Sequence, residues 1–80
     1  MSNDTILTKV RVVTPVGTFD SKIWELDSEQ IQQLRNVIKD ACKECGFFKL
    51  EVSEGADVYL ARGVIENSVF VVLTGDGVYA

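Results

Sequence analysis

There is no histidine in this chain of 80 residues. The commonest general acid and base is therefore missing, and neither a Ser-His-Asp nor a Cys-His arrangement can be assembled. Cysteine is scarce as well. Cys42 and Cys45 are the only two, and one subunit cannot complete the thiolate and imidazole set of a structural zinc site from them. No Gly-Lys-Ser or Gly-Lys-Thr occurs, which removes the P-loop, and no dinucleotide fingerprint is present. The GDG at 75–77 lacks the ligand series of a calcium loop and reads as a turn. Carboxylates gather at Asp20, Glu25 and Asp27 and again at Glu51, Glu54 and Asp57, where helix capping and solvated surface account for them. The expectation is a protein that is not an enzyme and carries no cofactor.

A positive surplus is lacking too. Twelve acidic residues against eight basic ones leave a net charge of −4. Phosphate neutralisation supplies most of the affinity of nucleic-acid binders, so no nucleic-acid partner is expected. No long apolar run exists: the longest, Val69–Leu73, is five residues, against about 20 for a membrane span. The start, MSNDTILTK, holds no apolar core of a signal peptide. These features predict a cytoplasmic protein with no membrane partner. With one proline and no repeat or low-complexity linker, residues 1–80 read as a single domain.

What the chain does have is apolar material, 46% of its residues. That is ample for a core. A domain this short buries a modest fraction of its surface, and self-association often completes the burial. A homo-oligomer, first of all a dimer, is the expected state.

Residues 1–5 are read as a flexible start, 6–26 as a β-hairpin, 27–45 as a helix, 47–74 as antiparallel strands and 75–80 as a tail. In ILTKVRVVT, Ile6, Val10 and Val12 share one face while Lys9 and Arg11 take the other. Pro15-Val16-Gly17 breaks the run and TFDSKIWEL resumes it, with Phe19 and Ile23 opposite Asp20, Lys22 and Trp24. Asp27 followed by Gln30 is a capping box, and Leu26 with Ile31 is placed as a hydrophobic staple. Ile31, Leu34, Ile38, Ala41, Cys42 and Cys45 then follow at helical spacing, with Val37 beside them, and Gly46 ends the helix. FFKLEV alternates, SEGAD turns, VYLA is short, and Val64–Asn67 makes a tight connection into SVFVVLT. The order is β-β-α-β-β-β: an α+β fold with an antiparallel sheet of about five strands and one amphipathic helix on one face.

Three groups of residues are candidates for function. Cys42 and Cys45 stand in the last helical turn, where the dipole disfavours a thiolate, so a redox pair is not expected. They read as small core side chains, the alternative being a zinc site pooled between two subunits. Trp24 and Tyr59 can stack on a ring while Arg11, Lys22 and Arg62 hold a phosphate, which makes these five the candidate ligand residues. Val69, Phe70, Val71, Val72 and Leu73 are apolar on both strand faces and form the candidate interface.

The layout resembles that of many short proteins encoded by bacteriophages and prophages. VRVVTPVGTFDSKIWEL runs into a capped helix, and FFKLEV, a hairpin and VIENSVFVVL follow. The likeness spans nearly the whole chain, and VIENSVFVVL, where Asn-Ser leads into the last strand, is its most suggestive part. It is a likeness of layout and assigns no residue a role. It implies a virion component, an inhibitor of a host protein or a counter-defence factor, some of which sequester signalling nucleotides. Such proteins are commonly oligomeric, rarely enzymes, and act in the host cytoplasm. The leading expectation is thus a self-associating binding protein that holds a host protein or a small ligand. The alternatives are a virion structural or assembly subunit and a zinc-linked regulatory dimer through Cys42 and Cys45.

Overall fold

The computed structural model of the chain describes residues 4–44 and 47–80. The organising strand is β1 (Ile6–Thr14). Its alternation works as the pattern requires: Thr8, Val10, Val12 and Thr14 are all buried on one face. The other strands are β2 (Gly17–Asp20), β3 (Trp24–Leu26), β4 (Phe47–Ser53), β5 (Ala56–Ala61) and β6 (Val69–Thr74), and every pairing is antiparallel. One edge of β1 carries β6 from Thr8 to Val13. The other edge carries β2 opposite Arg11–Thr14 and β3 opposite Ile6–Thr8.

The second strand of the expected hairpin is broken, and Ser21 breaks it. Its N–H donates to the Val10 carbonyl (2.8 Å), and its hydroxyl accepts the Val10 N–H (2.8 Å) while donating to the Lys22 carbonyl (2.8 Å). One buried side chain so stands in for a missing stretch of ladder. The Lys22 N–H is turned outward and donates to the Glu51 carbonyl of β4 (2.9 Å). That bond is the only backbone link between β4 and the sheet of β1 among the described residues, and β4 otherwise pairs with β5 alone. The result is six strands in two antiparallel sheets, not five in one. The break also resets the alternation. Trp24 faces the core with Phe19, whereas Ile23 is 43% exposed.

The helix α1 (Ser28–Glu44) starts where the sequence places it. Gln30 donates its N–H to Asp27 Oδ1 (2.8 Å) and returns Oε1 to the Asp27 N–H (2.9 Å), which closes the capping box. Ile31, Ile38 and Ala41 are buried and Leu34 half-buried, so this stripe faces both sheets. The core joins it to Val10 and Val12 of β1, Phe48, Leu50 and Leu60 of the hairpin, and Phe70 and Val72 of β6. Phe48 and Phe70 meet edge to face across the two sheets, ring centroids 5.3 Å apart. Each large side chain so buried contributes about 1.5–3 kcal/mol.

Two further elements were not expected. The connection before β6 contains a single helical turn, α2 (Arg62–Ile65), which buries Ile65. The tail is a 3-10 turn, Gly75–Tyr79, which buries Val78. In the β4–β5 turn Gly55 has φ +79°, a left-handed conformation that glycine adopts without penalty.

Candidate functional site

The seam between the sheets leaves space. Beyond Lys22, β3 and β4 form no ladder. A cavity of about 280 Å³ lies between them, lined by Val10, Trp24, Leu34, Val37, Phe48 and the Lys49–Glu51 stretch. A second, of about 330 Å³, continues along α1 past Leu26, Gln30 and Gln33. Both share Trp24, Leu34 and Val37, so together they make one elongated groove with Trp24 at its middle. Its walls are apolar and its polar groups few, as in small binding clefts. An ion pair, Lys22 Nζ to Glu51 Oε1 at 3.0 Å, stands at the seam.

The back of the β1 sheet is built differently. Arg11 lies opposite Asp20 in the hairpin register and donates to it from Nε (2.7 Å) and Nη2 (3.0 Å). Lys9, only 8% exposed, adds Nζ at 3.0 Å. Arg11 Nη2 also donates to the Ala80 carbonyl (2.6 Å), which pins the terminal turn across the sheet. The Arg11 hydrogen bond, with help from Lys9, lowers the Asp20 pKa to about 2 against the resistance of burial. This is a structural clamp: both cations are held by Asp20, Arg11 also by the Ala80 carbonyl, and the 3-10 turn packs beside it.

The five candidate ligand residues do not share one site. Trp24 lies in the groove and Lys22 at its edge, paired with Glu51. Arg11 is committed to the clamp on the other face. Tyr59 is 62% exposed on the outer face of the hairpin, its ring 5.8 Å from Phe47. Arg62 opens α2, with Nε 3.6 Å from Glu66 Oε1. A strand alternation carried through Ser21 put Lys22 and Trp24 on one face, and the break removes the basis for that pairing.

The candidate interface divides in the same way. Phe70 and Val72 pack on the core, so they are folding residues. Val69 is 61% exposed, and Val71 and Leu73 are half-buried on the back face beside the 3-10 turn. The outer edge of β6 has no strand beside it among the described residues. Cys42 is exposed and free, not in the core: it lies on the margin of the apolar stripe. Cys45 is outside the described residues. Among the described residues no cluster of three or more His, Cys, Asp or Glu is set to hold a metal, and no helix is long and apolar enough to cross a membrane.

Sequence reasoning missed Leu34, Val37 and Gln33 as groove residues and Lys9 with Asp20 as a clamp. Signals for both existed. Val37 sits beside the apolar stripe with nothing on its own helix to cover it. A hairpin turning at Pro15-Val16 places Arg11 opposite Asp20 by counting back from Thr14 and Gly17. Comparison of the chain with protein-family models, with curated proteins and with solved structures found no match.

Proposed function

We propose that this chain is a non-catalytic binding protein that works as a homodimer, joined edge to edge through β6, and acts by holding a host protein or a small ligand. One observation carries the reading. The open edge of β6 is six residues long, Val69–Thr74, with no charge, no proline and no register shift against β1. Soluble proteins blunt such edges with lysine, proline, bulges or a covering element, because an open ladder recruits another strand. A second copy suits this edge. In a two-fold antiparallel pair, a charge at the axis meets its own copy, and like charges directly opposite are destabilising. Val69–Thr74 has none to oppose. Pairing centred on Val71 sets Phe70 against Val72 and Val69 against Leu73, so the two β1 sheets become one.

Native mass spectrometry of protein purified without added metal tests this, with Val71→Glu beside the wild type. The wild type is expected as a bare dimer. The variant is expected as a monomer with unchanged helical circular dichroism, since Val71 lies half-buried on the back face and outside the core that packs on α1. A monomeric wild type at micromolar concentration overturns the reading. Large assemblies would indicate a virion subunit. A zinc-laden dimer that a chelator dissociates would indicate a link through Cys42 and Cys45.

A further inference from the structure

We propose that the groove between β3 and β4 receives an extended peptide, which adds as a strand to the free edge of β4 and sets two apolar side chains on either side of Trp24. The inference does not depend on pairing through β6.

The first support is backbone geometry. The N–H and C=O groups of a strand point alternately to its two edges. The Glu51 carbonyl points away from β5, since it accepts the Lys22 N–H. The register of β4 with β5 runs unshifted from Phe47 to Glu51, so the backbone groups of Lys49 and Phe47 point to that same open edge. No strand meets them there among the described residues. The cavity wall includes Lys49 and Glu51, which places this edge on the groove. A ligand that answers a row of main-chain donors and acceptors is another main chain.

The second support is the shape of the groove. Two cavities of about 280 and 330 Å³ adjoin at Trp24. Side chains at i and i+2 of an extended strand lie on one face about 7 Å apart, a spacing suited to two adjoining compartments. Val37, which lines both cavities and is 55% exposed, leaves the mouth apolar without a cover.

The third support is charge. Lys22 is paired with Glu51, and Lys49 Nζ lies 3.7 Å from Asp57 Oδ2. The cations and anions along this edge already satisfy one another. An uncharged segment can lie against them without burying a lone charge, which favours a neutral stretch as the occupant, with the two cavities taking its alternate apolar residues.

Trp24 is the only tryptophan, so its emission reports occupancy. The probe is the capped pentapeptide Ac-Thr-Leu-Thr-Leu-Thr-NH2, titrated into the full chain. Two N-methylated versions accompany it, one methylated at both leucines and one at the central threonine. The expected result is a saturable change in Trp24 emission. At least one methylated version should bind ten-fold weaker or worse, because one set of alternating amides must face β4. Val37→Lys, an exposed helix position given a good helix former, should also weaken the parent peptide at least ten-fold while leaving the circular dichroism unchanged. Unaltered emission at millimolar peptide overturns the proposal. So does equal binding of all three peptides, which would mean an apolar pocket without strand addition. Binding of cyclohexanol in the absence of peptide binding likewise overturns it in favour of a small-molecule pocket.

Discussion

The two sheets of this protein are held together by different forces. β1 is paired on both edges along most of its length, and where its neighbour fails, Ser21 supplies the missing donor and acceptor. Among the described residues the hairpin β4–β5 has one backbone bond and one half-exposed ion pair to the β1 sheet, and otherwise relies on Phe48, Leu50 and Leu60 in the core. Hydrogen-bond ladders are directional and fix register. Apolar burial is not directional and fixes only proximity. The hairpin is therefore placed by contact and not by register, and the groove at the seam is the space this leaves. Regions with fewer backbone bonds open at lower free energy, so the seam is where the molecule yields first.

Leu50→Ala should have the largest effect on this contrast. Leu50 is 2% exposed, and truncation of such a leucine costs about 3 kcal/mol. Urea unfolding measures the loss. Amide exchange should rise in β4 and β5 well before β1. Equal loss of protection in both would mean that the sheets open as one unit.

Asp20→Asn attacks the other side of the comparison. It leaves Lys9 buried without its partner, at a cost of about 2 kcal/mol, discounted because Asp20 itself is one-third exposed. The same clamp has a pH signature. The Asp20 pKa in the folded protein, about 2, lies below the ordinary value of about 3.9. Its stabilisation is therefore complete above about pH 4 and is lost as the pH falls through about 2. Urea midpoints recorded between these limits should fall with pH in the wild type more steeply than in Asp20→Asn. Parallel curves would remove the clamp from the account.

Ser21→Ala is the mildest of the three, at about 1–2 kcal/mol, because it orphans the N–H of Val10 at a site only 1% exposed. The Val10 amide should exchange faster while the hairpin stays as it was. A shift of Trp24 emission in this variant would show that the break also positions the groove.

Features written in neighbouring residues could be read from the sequence. The alternation of β1, the Asp27–Gln30 box and the apolar stripe from Ile31 to Ala41 all belong to this class, and so does the α+β character of the fold. Ser21 could not be read as a break, because serine within an alternating run looks like any exposed strand position. Its role depends on Val10, eleven residues away. The break between β2 and β3 follows from that one side chain, and the faces of Ile23 and Trp24 follow from the break. The groove escaped for the same reason: Trp24, Val37 and Lys49 come from three elements whose proximity no local pattern encodes. Cys42 was misplaced because helical spacing alone cannot say which margin of a stripe the sheets cover.

The pairing of β1 with β6 joins the first strand of the fold to the last. During synthesis, the edge of β1 that β6 will occupy stays open until Thr74 has been made, while every other strand pair can form earlier. Closing so long a loop carries an entropic cost that no local contact offsets beforehand. Topologies dominated by such distant pairings fold on the millisecond-to-second scale rather than in microseconds. A nascent or truncated chain that ends before Val69 would hold Val10 and Val12 beneath an incomplete sheet. The docking of β6 is accordingly expected to come late in folding, and a chain that ends before Val69 is expected to aggregate rather than to form a smaller working protein.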